Sequence, residues 1–292
     1  MMRRLRFSLV LALVSVLAAC NTAPVRDAPP VAATSAASLP HDNLNATLWM
    51  ESAAEYEATV RGVYAAARNA FDRALADPQW SALPRGEGSL GFETLPPAII
   101  VDADETFLSN EPYQARVIRD GSGFTSEGWL EWSREKNARE LPGAVEFARY
   151  IASRGATIFY VTNRDHPDEF EATVANLRAQ GFPVADDASN VLLRGTPAAP
   201  AREKGERRRL IGRSHRVLVM LGDNLGDFLD GINTGVAQRR NIMAPYATWW
   251  GQRWFMLPNP SYGSWESAVL NDCGDAARSD PTGCKRAALR YD

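Results

Sequence analysis

Four short stretches of the chain are almost entirely apolar, and segments with helical spacing precede or separate them. Apolar runs without polar alternation are typical of strands that are buried on both faces of a parallel sheet. The four stretches are Ala98–Val101, Ala156–Val161, Val191–Leu193 and Val217–Leu221. Helices are predicted before each of the last three apolar stretches, over residues 144–153, 168–179 and 203–211. Strands and helices that alternate in this way predict an α/β fold, with helices flanking a parallel sheet.

A longer helical pattern precedes the first strand. Apolar residues recur at intervals of three and four between residues 45 and 76, and Pro78 follows. Proline lacks the amide hydrogen that a helix interior needs, so we predict one helix that ends before it. Because this helix comes before the first core strand, we expect it to pack outside the sheet.

The first residues have the pattern of an export signal. Met1–Arg6 contains three arginines, and Phe7–Ala19 is apolar apart from two serines. This apolar run is too short to span a membrane, so residues 1–19 are predicted to be a signal peptide. The sequence Leu-Ala-Ala-Cys that ends at Cys20 resembles a bacterial lipobox, which implies cleavage before Cys20 and its lipidation. An ordinary signal peptide cleaved nearby is the alternative.

The segment after Cys20 is rich in Ala, Pro, Ser and Thr up to about Pro40. Such a composition cannot bury enough apolar surface to fold, so we predict a flexible tether over residues 20–44. By analogy with enterobacterial lipoproteins, Asn21 favours the outer membrane, on its periplasmic or its surface face. The net charge of -3 and the pI near 5.8 argue against nucleic acid as a partner.

Two further cysteines, Cys273 and Cys284, lie close together near the end of the chain. A compartment outside the cytoplasm is oxidising, and an isolated pair there favours one disulfide bond. Two free thiols are the alternative.

Each of three predicted strands is followed directly by polar residues. In α/β sheets the carboxyl ends of parallel strands meet along one edge, where chemistry collects. Residues i and i+2 of an extended segment lie on the same side, so the first two aspartates should converge. Taken alone, Asp-x-Asp after a strand also fits a solvated acidic loop, but three such sets favour a site. The sets are Asp102 and Asp104, Thr162 and Asn163, and Asp223 and Asp227, with Lys204 between the last two.

Clustered carboxylates without histidine suit Mg²⁺, which prefers oxygen ligands. One aspartate can then attack phosphorus, and the carboxylate two residues later can transfer the proton. Threonine, amide and lysine groups can hold the phosphoryl oxygens. The pattern therefore predicts transfer of a phosphoryl group with Mg²⁺ as cofactor.

These motifs resemble those of the haloacid dehalogenase (HAD) superfamily of phosphatases. The stretches 101–106 and 219–228, with Asn110 and Tyr113, are similar to the paired signatures of the class C acid phosphatases, a group that includes outer-membrane lipoprotein 5′-nucleotidases. The resemblance implies a HAD-like, Rossmannoid α/β domain over residues 45–292. It also implies a small, mainly α-helical cap formed by elements at about 45–80 and 107–141 and by the C-terminal segment.

The resemblance also implies a role for each motif residue. Asp102 is the expected nucleophile and Mg²⁺ ligand, and Asp104 is the acid/base whose backbone carbonyl also binds the metal. Asp223 is the third metal ligand, and Asp227 orients a metal-bound water or Lys204. The expected phosphate-binding residues are Thr162, Asn163 and Lys204.

The organic half of the substrate is less constrained by the sequence. The resemblance implies an aromatic clamp on a nucleobase, formed by Phe124 and Tyr262, although both residues also fit packing in the core or cap. Trp129, Trp132 and Trp265 are predicted core residues. The expected substrate is a small phosphate monoester, with 5′-nucleotides such as AMP favoured. A phosphatase of sugar or aryl phosphates, a non-catalytic binding lipoprotein, and a homodimer all remain open.

Overall fold

A computed structural model describes residues 41–291 of the chain. The predicted signal peptide, the predicted lipidation at Cys20 and the predicted tether as far as residue 40 lie outside the described residues. Within residues 41–291, every helix is too short or too polar to cross a membrane.

Five parallel strands form the central sheet, in the order β5-β4-β1-β6-β7. A separate antiparallel pair joins β2 and β3. The strands are β1 Pro97–Val101, β2 Leu108–Ser109, β3 Arg139–Glu140, β4 Thr157–Asp165, β5 Val191–Arg194, β6 Arg216–Gly222 and β7 Trp254–Met256. The four predicted strands are thus confirmed, as is the parallel α/β fold.

Helices flank this sheet and fill the connections between its strands. They are α1 Leu44–Ser52, α2 Ala54–Ala76, α3 Glu111–Arg119, α4 Ser126–Glu135, α5 Ala144–Ser153, α6 Phe170–Gln180, α7 Gly205–Gly212, α8 Leu225–Phe228, α9 Val236–Met243, α10 Ser264–Cys273, α11 Ala276–Ser279 and α12 Pro281–Ala287. Two 3₁₀ turns span Phe92–Thr94 and Ala244–Trp249.

The prediction of one helix over residues 45–76 is wrong in one respect. Ala53 has an extended backbone, with φ -82° and ψ 126°, and it separates α1 from α2. The break lets α1 turn and pack against α3. The Trp49 and Tyr56 rings meet edge to face across it, with centroids 5.3 Å apart. Tertiary contact therefore prevails over the local helical pattern here.

The strand β1 is buried on both faces, as its unbroken apolar sequence predicts. Ile99 and Val101 join a core that includes α2 and α5, whereas Ala98 and Ile100 join a second core with Phe228. Alternate side chains of a strand point to opposite faces, which divides β1 between the two cores. Burial on both sides fixes the strand, and hence the position of the residue that follows it.

Candidate active site

The site lies at the carboxyl edge of the sheet, where β1, β4 and β6 end side by side. Asp102 follows β1, and its amide donates a hydrogen bond of 3.0 Å to the carbonyl of Leu221 in β6. Thr162 lies in β4, beside β1 in the sheet, and Asp223 directly follows β6. The three predicted polar sets therefore meet at one edge.

A buried lysine joins two of the aspartates. Lys204 Nζ lies 2.6 Å from Asp102 Oδ1 and 2.6 Å from Asp227 Oδ1. All three residues are buried. Burial raises the pKa of Asp102 to about 7, and the nearby carboxylates of Asp227 and Asp104 add to this effect while Lys204 opposes it. Burial lowers the pKa of Lys204, but its two carboxylate partners outweigh that effect and hold the ammonium charged.

Asp223 is the third carboxylate of this cluster. Burial raises its pKa well above the ordinary value, and the charges of Asp227 and Asp102 raise it further. Asn259 Nδ2 donates a 2.8 Å hydrogen bond to Asp223 Oδ2. A Cβ atom at Gly222 would collide with the Asp227 carboxylate, so only glycine allows that carboxylate to approach the end of β6.

The carboxylate cluster fits a hard divalent cation such as Mg²⁺. One carboxylate oxygen each from Asp102, Asp223 and Asp227 lies within 4.8 Å of the others. Ligand oxygens on Mg²⁺ are about 3 to 4 Å apart for bonds near 2.0–2.1 Å, so small adjustments would suffice. The raised pKa values of Asp102 and Asp223 reflect charges that a cation would neutralise. The carboxylate of Asp104 is not part of this group.

Asp104 has a different environment from Asp102. Arg164 Nη2 donates to Asp104 Oδ1 at 2.7 Å, and Arg164 Nε lies within 3.2 Å of both carboxylate oxygens. Asn110 Nδ2 donates to Oδ1 at 2.9 Å, and the Thr162 hydroxyl donates to Oδ2 at 3.3 Å. Burial alone would raise the pKa of Asp104, but Arg164 outweighs it and holds the pKa below its ordinary value.

The predicted phosphate-binding pair is held by another arginine. Thr162 is fully buried, and its hydroxyl contacts Asp104 and accepts from the Arg164 amide. The neighbouring Asn163 is exposed, and its Oδ1 accepts a 2.7 Å hydrogen bond from Arg207 Nη2. Arg207 Nη1 donates to the carbonyl of Thr162.

The two predicted clamp residues lie on separate segments. Phe124 is 66 % exposed and packs beside Tyr113 and Trp129, with ring centroids 6.4 and 6.3 Å away. Tyr262 is half-buried, and its amide donates to the Asn259 side chain that also contacts the aspartate cluster. The turn that carries Tyr262 is thereby tied to the site.

Of the three tryptophans predicted to be in the core, Trp132 is buried and Trp129 is partly buried against the core. The prediction for Trp265 is wrong, because this side chain is 43 % exposed. It lies in the first turn of α10, and its Nε1 donates to the carbonyl of Tyr262 at 3.1 Å. That hydrogen bond holds the indole on the surface beside Tyr262.

Sequence reasoning did not assign roles to Arg164 or Arg207, although signals for both were available. Arg164 lies two residues after Thr162 in a strand, so both side chains point to the same side. Arg207 lies three residues after Lys204 at the start of a helix, where i and i+3 share a face. Asn110, which was noted only as part of a motif, connects Asp104 to Trp132, whose Nε1 donates to Asn110 Oδ1 at 2.7 Å.

The sulfur atoms of Cys273 and Cys284 are bonded in the structure, and they join α10 to α12. Next to this bond, Lys285 Nζ lies 2.5 Å from Glu266 and 3.0 Å from Asp42. The C-terminal helices are thus attached both to each other and to the start of the described chain.

Two comparisons with solved structures agree with this architecture. The class C acid phosphatase of Bacillus anthracis is 28 % identical, with a TM-score of 0.72 over 86 % of this chain and 97 % of that chain. The structure of the enzyme from that organism with tungstate bound is 29 % identical, with a TM-score of 0.74 over 87 % of this chain and 99 % of that one.

Curated plant proteins are similar over a shorter length. The stem 28 kDa glycoprotein of Glycine max is 27 % identical over 168 residues, which are 56 % of this chain and 58 % of that protein. Acid phosphatase 1 of Solanum lycopersicum is 26 % identical over 167 residues, 56 % of this chain and 57 % of that protein. The chain thus spans less than two thirds of the length of these relatives.

Residues 19–265 match the family model of the HAD superfamily, subfamily IIIB (acid phosphatase). This match covers both aspartate motifs, the lysine motif and the Tyr262 turn. The resemblance drawn from the sequence is therefore confirmed, and the chain belongs to the subfamily IIIB acid phosphatases of the HAD superfamily.

Proposed function

We propose that this protein is a Mg²⁺-dependent phosphomonoesterase that forms an aspartyl-phosphate on Asp102 and acts on 5′-nucleotides outside the cytoplasm. One observation carries the proposal most directly. At the carboxyl edge of the sheet, Asp102 lies beside Lys204 and two further carboxylates, while Asp104 lies two residues away in a separate network. Membership of the acid phosphatase family supports the same chemistry.

Asp102, Asp223 and the backbone carbonyl of Asp104 would hold the metal, with Asp227 beside them. When bound, Mg²⁺ would supply positive charge to the phosphoryl oxygens and would relieve the repulsion among the carboxylates. Asp227 already accepts hydrogen bonds at both oxygens, from Lys204 at Oδ1 and from the Asn224 amide at Oδ2. Its main task would therefore be to orient Lys204 and the loop after β6.

In the first step, Asp102 attacks phosphorus, the bond to the leaving oxygen breaks, and Asp104 donates a proton to that oxygen. In the second step, Asp104 accepts a proton from water as the water oxygen attacks phosphorus and the bond to Asp102 breaks. The ion pair with Arg164 favours the ionised Asp104, which is the form that the second step needs. The first step needs the protonated form, so acid conditions would favour it. Lys204 and Asn163 would hold the phosphoryl oxygens.

The surroundings of the site support a nucleotide as substrate. Phe124 stands largely exposed on its segment, and Tyr262 and Trp265 share a turn that Asn259 ties to Asp223. Aromatic side chains stack on any nucleobase, contributing on the order of 1–3 kcal/mol per base. Tungstate, which binds the Bacillus anthracis relative, is a tetrahedral oxyanion like phosphate, so it supports the phosphoryl half of the proposal.

We extend the proposal to where the protein acts. Lipidation at Cys20 would anchor the mature chain to the outer membrane, and the bonded pair Cys273–Cys284 suits an oxidising compartment. Mass spectrometry of the mature protein from its native host tests this directly. A lipid-modified Cys20 at the amino terminus is expected, and an unmodified terminus at another residue would contradict it.

The activity is tested with the purified mature protein and p-nitrophenyl phosphate. Turnover that requires Mg²⁺, disappears with EDTA and returns with added Mg²⁺ is expected. Comparing kcat/KM for AMP and nicotinamide mononucleotide with kcat/KM for simple aryl and sugar phosphates then tests the substrate class. Equal values across the panel would replace the nucleotidase with a broad-specificity phosphatase, and no turnover at all would favour the non-catalytic lipoprotein.

A further inference from the structure

Arg207 is a buried arginine whose partners are all neutral. Its side chain is fully buried, and within residues 41–291 no carboxylate lies within ion-pair distance of it. Its guanidinium donates instead to Asn163 Oδ1 and to the carbonyl oxygens of Thr162, Leu192, Ala201 and Arg202. Its Nε is buried without a hydrogen-bond partner.

Other buried arginines near the site have charged partners. Arg164 pairs with Asp104, and Arg208 pairs with Glu87 and with Asp230. Removing an arginine from water costs free energy that a carboxylate partner normally offsets. Burial accordingly lowers the pKa of Arg207 to about 10. A buried cation without its own counterion suits a place that receives an anion.

The contact with Asn163 also fixes which way that amide points. A guanidinium can only donate hydrogen bonds, so the amide atom that faces Arg207 must be the oxygen. The 2.7 Å contact therefore leaves Nδ2, with its two hydrogens, directed away from the arginine. Nδ2 makes no hydrogen bond to the described part of the protein, and Asn163 is exposed. Such a donor suits a ligand rich in acceptor oxygens.

We propose that Arg207 is a positioning residue of the phosphate subsite. It turns the amide donor of Asn163 toward the phosphoryl oxygens and holds the backbone of Thr162. It also adds a positive charge that is not ion-paired with a carboxylate. This inference rests on the proposed phosphatase function, which it deepens by naming what prepares the subsite for a phosphate dianion.

The first test measures the affinity of the Mg²⁺-loaded mature protein for inorganic phosphate and for tungstate by calorimetry. Arg207→Met should weaken both by about 10- to 100-fold, the range expected for lost hydrogen bonds that involve charge. Arg216→Met is the matched control, because Arg216 is also buried, also donates to backbone carbonyls and also has a buried unpaired Nε, but lies at the opposite end of β6. The control should lose thermal stability and keep its phosphate affinity. Equal losses of affinity in the two variants, or none in Arg207→Met, would overturn the proposal.

A second pair of variants tests the inference even if Arg207→Met does not fold. Asn163→Asp keeps an acceptor for Arg207 but replaces the free donor with a negative oxygen. It should therefore melt at or above the wild-type temperature and lose more phosphate affinity than Asn163→Ala does. Wild-type phosphate affinity in Asn163→Asp would overturn the proposal. Arg207→Met should reduce phosphate affinity by a smaller factor in the Asn163→Ala background than in the wild-type background. Fully additive losses would show that Arg207 does not act through Asn163.

Turnover of p-nitrophenyl phosphate by the wild-type protein separates the two proposals. A wild type that binds phosphate with the expected dependence on Arg207 but does not turn over would end the phosphatase proposal and leave the assignment of Arg207 intact. A wild type that turns over while Arg207→Met binds phosphate normally would end only the assignment of Arg207. A wild type that neither turns over nor binds phosphate would overturn both.

Discussion

At the scale of single residues, two carboxylates that are two positions apart have opposite environments. Burial and neighbouring negative charge raise the pKa of Asp102, whereas Arg164 lowers that of Asp104. A bound cation would stabilise the ionised Asp102 that the attack on phosphorus requires, whereas Asp104 must exchange a proton with the leaving oxygen and with water. The same contrast predicts different consequences for replacing each of them.

Asp102→Asn should reduce kcat on p-nitrophenyl phosphate by at least about 10³-fold, since an amide cannot replace the attacking oxygen. The fold should persist, because the substitution is isosteric and removes a buried charge whose pKa burial already raises. Steady-state kinetics and a thermal melt check both expectations. Substantial Mg²⁺-dependent turnover in a well-folded variant would show that another residue is the nucleophile.

Asp104→Asn should affect substrates according to their leaving group. Loss of an acid/base group commonly costs about 10²- to 10⁴-fold in rate. A nitrophenolate leaves without a proton, so the phosphorylated enzyme should still form and accumulate, whereas AMP should scarcely react. Rapid-quench measurement of the phosphoenzyme checks this, and wild-type turnover of AMP by the variant would contradict it.

At the scale of secondary-structure elements, the loop after β6 depends on close packing against the strand end. Asn224 caps the short helix α8, and Asp227 completes the capping box through the Asn224 amide. Because Gly222 leaves room for the Asp227 carboxylate, one methyl group there would displace it.

Gly222→Ala should therefore lower the free energy of unfolding by about 1–3 kcal/mol and weaken Mg²⁺ binding. Gly62→Ala is a control that should change the free energy of unfolding in the opposite direction. Gly62 lies in the middle of α2 on its exposed face, and a Cβ atom there would meet open space. That variant should be stabilised by about 0.5–1 kcal/mol. Denaturant unfolding and Mg²⁺ calorimetry distinguish the two, and a Gly222→Ala variant with wild-type stability and metal affinity would refute the packing argument.

The predicted clamp residues Phe124 and Tyr262 belong to two other segments, the one before α4 and the turn before α10. Phe124→Ala and Tyr262→Ala should each lower kcat/KM for 5′-nucleotides by roughly 1–3 kcal/mol and scarcely change it for a small alkyl phosphate. General damage to the protein would lower both values together. Equal losses on the two substrates would mean that these side chains are structural, and the nucleotide proposal would lose its main support.

At the scale of the whole molecule, the C-terminal helices α10 and α12 are held by covalent and ionic contacts. The bond between Cys273 and Cys284 closes a short loop, with a sequence separation of 11, and Lys285 joins α12 to Asp42 at the other end of the described chain.

Replacing both cysteines with serine should lower the free energy of unfolding by about 2–3 kcal/mol, the amount expected for a loop of this size. Neither cysteine contacts the carboxylate cluster, so kcat on a small phosphate ester should stay near the wild-type value. Denaturant unfolding and steady-state kinetics check these expectations together. Unchanged stability would mean that the disulfide does not restrain the unfolded chain.

The sequence by itself determined four of the five strands of the central sheet, all but β7, and the place of the site. Apolar runs specify strands buried on both faces, and parallel strands bring the residues that follow them to one edge, whatever the details of packing. That is why Asp102, Thr162 and Asp223 could be grouped before the structure was known. Local patterns carry this information because it depends on residues that are neighbours in the chain.

Only the tertiary structure decided which charge each group meets. Arg164 contacts Asp104 across 60 residues and Arg207 contacts Asn163 across 44, and such pairings depend on how elements pack rather than on local periodicity. The break at Ala53, which lets α1 pack against α3, has the same origin. Interactions between distant segments outweigh local propensities of a fraction of a kcal/mol per residue, so the edge of the sheet follows from the sequence while its electrostatics follow from the fold.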